Sequence, residues 1–109
     1  PLREATSVSD VIRESADFVL HGSKVVCRYE IPDDLWLADI DPAQISQVVQ
    51  NIILNASDAM PDGGVVTVTC ENVTCDKGKT SLPLEPGRYV RIVIRDEGVG
   101  IPAEYLEKI

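Results

Sequence analysis

The stretch "DPAQISQVVQNIILNASDAMPDGG", Asp41 to Gly64, decides the fold of this chain. Asp41 before Pro42 is typical of a helix N-cap followed by the first helical residue. The helix is predicted to reach about Met60, where Pro61-Asp62-Gly63-Gly64 ends it and turns the chain. One face of this helix is apolar and is expected to pack on a sheet. That face consists of Ile45, Val48, Val49, Ile52, Ala56, Ala59 and Met60.

A polar stripe borders this apolar face. It consists of Gln44, Gln47, Asn51, Asn55 and Asp58. Asparagine in mid-helix costs about 0.5 kcal/mol relative to alanine, because its amide competes for backbone hydrogen bonds. Two interpretations are therefore open. Either Asn51 and Asn55 are solvated surface residues on a helix that its apolar face stabilises, or a ligand outside the helix needs two carboxamides.

The rest of the chain shows one more strong helical pattern and several alternating segments. Ser7 and Asp10 resemble a capping box, and helical spacing of apolar residues continues from there to His21-Gly22. A last helix is expected to begin at Ile101-Pro102. Strands are predicted at Lys24 to Ile31, Leu35 to Ala38, Val65 to Glu71 and Tyr89 to Arg95, with a polar loop at Asn72 to Gly87.

This order of elements, αββαββα, includes a hairpin and has no βαβ rhythm. It favours an α+β fold, a two-layer sandwich with helices on one face of a mixed, largely antiparallel sheet. The 109 residues, 44% of them apolar, fit one domain, residues 1–109, with a core that needs no metal or disulfide.

Composition excludes several function classes. The net charge of -8 is spread along the chain and would repel a nucleic-acid backbone. The cysteines, Cys27, Cys70 and Cys75, lack metal-ligand spacing, and their odd number favours a reducing, cytoplasmic setting. No apolar run approaches the roughly 20 residues of a membrane-spanning helix, and the first ten residues do not resemble a signal peptide.

Asp96 follows the predicted strand Tyr89 to Arg95, and the alternation places it on the apolar side. Gly98 and Gly100 behind it permit close approach of the backbone to a ligand. Alone, this is an ordinary Asp-Glu-Gly turn, and it lacks the third glycine of a Rossmann fingerprint. A buried carboxylate needs a strong donor, which an amino-bearing aromatic ring would supply. If the helix covers this strand, Asp96 and the asparagines face one pocket.

Two motifs together resemble a known family. "DPAQISQVVQNIILNASDAMPDGG" resembles the N box, and "IRDEGVGIPAEYLEKI" resembles the first glycine box, D-x-G-x-G-I, of sensor histidine kinase ATP-binding domains. These domains belong to the GHKL ATPase superfamily and have the Bergerat fold. The resemblance covers roughly Ser7 to Ile109, and the motifs are most similar to those of nitrogen-sensing and hybrid kinases. It implies ATP and Mg²⁺ as cofactors.

The resemblance also implies roles for individual residues. Asn55 would give its carboxamide oxygen to the Mg²⁺ that bridges the ATP phosphates. Asn51 would be the catalytic-site residue beside the phosphates, where hydrolysing relatives have a general-base glutamate. Because an amide cannot take a proton from water, ATP would be kept for a histidine rather than hydrolysed.

The other implied nucleotide contacts lie on both motifs. Asp96 would accept a hydrogen bond from the adenine amino group, and Gly98 and Gly100 would let the backbone close on the nucleotide. Ala59 and Ile101 would be apolar neighbours of the base. Asp58 would lie at the same site, although many histidine kinases have Lys or Arg there to meet phosphate.

The resemblance further implies family segments that would lie before and after this chain. The family's phosphoacceptor histidine lies upstream on a helical hairpin, and His21, without an H box, is expected to be structural or solvent-facing. The phenylalanine-rich box, lid and second glycine box would lie after Ile109. We therefore expect the N-terminal portion of the ATP-binding domain, inactive and weakly nucleotide-binding alone, with an open strand edge that favours self-association.

In the parent kinase, the expected partners are the phosphoacceptor histidine domain and the receiver domain of a response regulator. Membrane anchoring of that parent is left open. One alternative is a degenerate GHKL-fold interaction module without catalysis, against which the motif residues argue. Another is a topoisomerase or mismatch-repair ATPase, which should carry an acid where this chain has Asn51.

Overall fold

The computed structural model describes residues 2–76, 85–97 and 103–109. In these ranges two helices pack on one face of a mixed sheet, as predicted for the α+β class. The elements in chain order are β1 (Glu4–Thr6), α1 (Val8–Leu20), β2 (Val25–Glu30), β3 (Ala38–Ile40), α2 (Pro42–Asp58), β4 (Gly64–Cys75), β5 (Gly87–Asp96) and β6 (Ala103–Lys108).

Helix α1 begins where its capping residues predict. The Ser7 Oγ accepts a hydrogen bond from the backbone N–H of Asp10 at 3.3 Å. Its inward face is fully buried at Val8, Ile12 and Ala16. The exposed His21 follows its last turn. Of the helices in the described ranges, neither is long and apolar enough to cross a membrane.

The main sheet has the strand order β2-β4-β5-β6. Strands β4, β5 and β6 pair antiparallel, whereas β2 and β4 are parallel, with Val25 opposite Gly64. Because α2 lies between β2 and β4 in the chain, it is the crossover that a parallel pair requires. The expectation of no βαβ unit is therefore wrong at this one pair.

The core lies between the helices and one face of the sheet. The alternation predicted for β5 is confirmed, since Val90, Ile92 and Ile94 are buried. On β4, Val66 and Val68 are fully buried beside them. The opposite face of the sheet is polar, and there the Arg91 guanidinium donates to Glu71 and Glu104 at 2.8 and 2.7 Å.

The strand predicted at Leu35 to Ala38 is displaced. The structure has β3 at Ala38–Ile40, and β3 pairs with β1, which the sequence did not predict. The backbone N–H of Trp36 instead donates to the Asn72 Oδ1 at 2.8 Å. Asn72, predicted to start a loop, is part of the longer strand β4 and fixes this segment by its side chain.

The last helix predicted from Ile101-Pro102 is wrong over the described residues 103–109. Ala103–Lys108 forms β6, which pairs antiparallel with β5 from Ile94 opposite Ala103 to Tyr89 opposite Lys108. Pairing satisfies the backbone N–H and C=O groups along this side of β5, which outweighs the weak helical signal of a six-residue segment. The outer strands of this sheet are therefore β2 and β6. The expected open strand edge with self-association stays a prediction.

Candidate functional site

Helix α2 is fixed at its start by Asp41. The Asp41 carboxylate accepts hydrogen bonds from the backbone N–H groups of Leu2 and Ala43, both at 3.0 Å. These bonds, that from Leu2 first, hold the pKa of Asp41 below its ordinary value. The helix thereby gains a filled N-cap that also fastens the chain before β1 to the start of α2.

The C-terminal end of α2 closes in a tight turn. The Ala59 N–H donates to the Asn55 carbonyl at 3.1 Å, and the Gly63 N–H donates to the Met60 carbonyl at 3.0 Å. Gly63 has φ +103°, and a Cβ there would lie 2.9 Å from the Lys24 carbonyl oxygen. Only glycine fits this position, so the turn predicted at Pro61-Asp62-Gly63-Gly64 has a steric reason for its glycine. Helix α2 itself ends at Asp58, two residues before the predicted Met60.

The buried side of α2 is rotated toward α1 relative to the predicted apolar face. Val49, Ala56 and Met60 are buried as expected, but Ile53, which was not in the predicted set, is fully buried. Ala59 and Val48, which were in that set, are exposed. The predicted face allows for one covering surface, the sheet, whereas α1 covers a second side of α2.

The polar stripe lies where it was predicted. Gln44, Gln47, Asn51, Asn55 and Asp58 are all exposed. Among the described residues, the Asn51 and Asn55 side chains have no hydrogen-bond partner. Both carboxamides are therefore open to a ligand, and the fold itself uses neither of them.

Asp96 is the last residue of β5 and pairs with Val66 of β4. It is half-buried and belongs to the helix-facing side of the strand, in line with the buried Ile92 and Ile94. The predicted inward position of this carboxylate is confirmed. Gly98, Gly100 and Ile101 lie outside the described residues.

Glu97 joins the ends of β5 and α2, a role that the sequence did not suggest. Its Oε1 accepts a hydrogen bond from the backbone N–H of Val65 at 2.7 Å. A Cβ on the neighbouring Gly64 would lie 2.5 Å from the Met60 Sδ and 3.4 Å from this Glu97 oxygen. The C-terminal ends of α2 and β5 therefore meet at the start of β4. Asp96 and the last turn of the asparagine helix share one end of the domain.

The described residues contain no group of three or more His, Cys, Asp or Glu side chains that could hold a metal ion. A Mg²⁺ ion at this end would need most of its oxygen ligands from elsewhere, namely ligand phosphates and water. The exposed carboxamide oxygen of Asn55 suits such a hard cation as a single protein ligand.

The three cysteines are free thiols. Cys70 and Cys75 are buried, and Cys27 is half-buried. Burial raises the pKa of Cys70 to about 11 and also raises the pKa of Cys27. Thiols with such pKa values are protonated at neutral pH and belong to the core.

Comparison with known proteins identifies the class. Residues 40–109 match the family described as histidine kinase-, DNA gyrase B- and HSP90-like ATPases. The chain therefore belongs to this ATPase family. Within the family it is of the histidine kinase ATP-binding type, because its relatives are sensor kinases.

Three such relatives illustrate the similarity. Sensor kinase CckA of Brucella abortus (strain 2308) is 34% identical over 110 residues, covering 97% of this chain and 12% of the relative. Sporulation kinase E of Bacillus subtilis (strain 168) is 28% identical over 109 residues, covering 97% and 13%. Sensor histidine kinase WalK of the same strain is 34% identical over 109 residues, covering 89% and 16%. The chain thus spans less than a fifth of each of these relatives.

A solved structure supports the same fold. The mycobacterial sensor histidine kinase MprB superposes on 93% of this chain and 59% of its own, with a TM-score of 0.66 and 24% sequence identity. The two-layer arrangement of helices on a mixed sheet is therefore a fold that this chain shares with that structure.

Proposed function

We propose that this chain is the ATP-binding part of a longer two-component sensor histidine kinase. It binds Mg-ATP, and the kinase transfers the γ-phosphate to a histidine on a partner domain. The observation that supports this proposal is that the C-terminal ends of α2 and β5 meet at Gly64. Helix α2 carries the exposed Asn51 and Asn55, and β5 ends at the half-buried Asp96.

In this proposal Asn55 is the metal ligand. Its carboxamide is exposed and makes no hydrogen bond within the described residues, so its oxygen is available to a cation. Mg²⁺ takes hard oxygen ligands and keeps several waters, and one neutral protein oxygen beside phosphate oxygens suits it. When bound, the ion would neutralise charge on the phosphates during transfer.

Asn51 is the proposed catalytic-site residue beside the phosphates. It lies one turn before Asn55 on the same exposed stripe, and its amide can donate to phosphate oxygen but cannot accept a proton from water. This chemistry favours holding ATP over hydrolysing it. Asp58 lies on the same stripe. Because its carboxylate is negatively charged and repels phosphate, it contacts the nucleotide only through a cation or water.

Asp96 is the proposed adenine acceptor. A half-buried carboxylate above the apolar residues of β5 suits the exocyclic amino group of a base that packs against apolar side chains. We assign Ala59 and Ile101 as apolar neighbours of the base. Gly98 and Gly100 would allow the backbone to approach the nucleotide.

The partners follow from this chemistry. The phosphoryl group goes to the phosphoacceptor histidine domain of the same kinase and then to an aspartate of a response regulator receiver domain. We place the site in the cytoplasm, which supplies ATP and keeps the free thiols of Cys27, Cys70 and Cys75 reduced.

The proposal is tested by Asp96→Ala in the full-length kinase. Alanine removes the acceptor of the adenine amino group, and we expect ATP binding to fall by about 100-fold, as for loss of a hydrogen bond to a charged group. Asp62→Ala, in the exposed turn after α2, is the matched control and should bind ATP like the wild type. Equal ATP affinity of the Asp96→Ala variant and the wild type, measured by calorimetry, contradicts the assignment.

A further inference from the structure

The paired backbone of β4 and β5 ends at Val66 opposite Asp96. One residue after the end of β5, the side chain of Glu97 makes the next hydrogen bond to β4. The Glu97 Oε1 accepts the N–H of Val65 at 2.7 Å, the short distance of a charge-assisted hydrogen bond. A hydrogen bond to the Glu97 carboxylate therefore stabilises the strand end that carries Asp96.

The same carboxylate lies beside the end of α2. Met60, the buried residue that follows the helix, packs so closely on Gly64 that a Cβ there would lie 2.5 Å from its Sδ. That Cβ would also lie 3.4 Å from the Glu97 Oε1. Gly64 is thus the point at which the helix end, the start of β4 and the end of β5 touch.

We propose that Glu97 is a positioning residue for the nucleotide site. By bonding Val65 beside Gly64, its side chain holds Asp96 at a fixed place relative to the helix that carries Asn51 and Asn55. This inference rests on the proposed function, because it assigns Glu97 a role only through Asp96. Without the bond, the last pair of the ladder opens more often, and ATP binding must order it again.

Two variants of Glu97 separate its role from general stability. Glu97→Ala removes the acceptor, and in the full-length kinase we expect ATP to bind about tenfold more weakly, equivalent to about 1.4 kcal/mol. Glu97→Gln keeps an oxygen that can accept from the Val65 N–H, and we expect affinity within about threefold of the wild type, since only the charge assistance is lost. Glu30→Ala, an exposed glutamate elsewhere on the sheet, is the control and should bind normally.

A second measurement follows the hydrogen bond itself. In the 109-residue chain without nucleotide, hydrogen exchange of the Val65 amide should be faster in Glu97→Ala and close to wild type in Glu97→Gln. A wild-type rate in Glu97→Ala would overturn the structural part of the inference.

The binding results distinguish this inference from the proposed function. If the wild-type kinase does not bind ATP, the proposed function fails and the role of Glu97 with it. If the wild type binds and Glu97→Ala binds equally well, only the inference is wrong. If Glu97→Gln weakens binding as much as Glu97→Ala, the charge matters rather than the bond to Val65, which also overturns it.

Discussion

Helix α2 has two groups of polar side chains, and only one of them takes part in hydrogen bonds between helix side chains. On the side toward α1, the Ser46 Oγ lies 2.8 Å from the Ser15 Oγ and accepts a hydrogen bond from the Gln50 Nε2 at 3.0 Å. On the opposite side, Asn51 and Asn55 are exposed and have no side-chain partner among the described residues. The first group links α2 to α1, so the fold explains its polar side chains. The fold gives no such role to the second group, and this difference supports a ligand for Asn51 and Asn55.

The largest expected effect is on the inward side of α2. Ile53 is fully buried, and Ile53→Ala should lower the free energy of unfolding by about 2–5 kcal/mol through lost burial and a cavity. The neighbouring Leu54 is 47% exposed, so Leu54→Ala should cost less than about 1 kcal/mol. Urea unfolding of both variants measures the contrast. Equal losses would show that α1 does not cover α2 as described.

A smaller effect is expected from the polar contact between the helices. Ser15 is buried, and Ser15→Ala removes its bond to Ser46, which should cost about 1 kcal/mol of unfolding free energy. The exposed Ser23–Ser57 pair, with its Oγ atoms 3.3 Å apart, provides the comparison. Ser57→Ala should change the unfolding free energy by less than about 0.5 kcal/mol. A larger loss in Ser57→Ala than in Ser15→Ala would contradict the distinction.

The smallest effects concern two glutamates of β6. One lies on the helix-facing side of the sheet and the other on its outer face. Glu107 lies among apolar residues of α2 and β5, and burial raises its pKa. Glu104 accepts a hydrogen bond from Arg91 on the outer face, which lowers its pKa. A carboxyl group whose pKa is raised in the folded state makes the protein less stable as the pH rises through its titration. A carboxyl group whose pKa is lowered in the folded state makes the protein less stable as the pH falls through its titration.

Opposite pH dependences should therefore follow in the two glutamine variants. At neutral pH, Glu107→Gln should melt slightly above the wild type and Glu104→Gln slightly below it. Both differences should shrink as the pH falls below the ordinary carboxyl pKa, because the wild-type side chains are then neutral as well. Melting curves from pH 3 to 8 measure this, and shifts of the same sign in both variants would be inconsistent with the described environments.

Local signals predicted much of this fold. The capping residues Ser7 and Asp41 set the starts of both helices, and alternation placed Asp96 on the inward side of β5. These features depend on neighbours within a few residues, so one sequence is enough to predict them.

The features that the sequence did not predict depend on partners distant in the chain. Strands β1 and β6 exist through pairing with β3 and β5, and their own patterns are too short to indicate a strand. Ile53 was missed because α1 provides a second covering surface. The bond from Val65 to Glu97 joins residues 32 positions apart, so no local motif could reveal it.

The central claim, that the outward asparagines of α2 serve a ligand, is tested most directly by Asn55→Ala with two readouts. Alanine is the better helix former, so the free energy of unfolding should stay the same or rise by about 0.5 kcal/mol. Mg²⁺-dependent autophosphorylation of the full-length kinase should nevertheless be lost, while Gln47→Ala, on the same exposed stripe, keeps it. Wild-type autophosphorylation in Asn55→Ala would contradict the claim and leave Asn55 an ordinary surface residue.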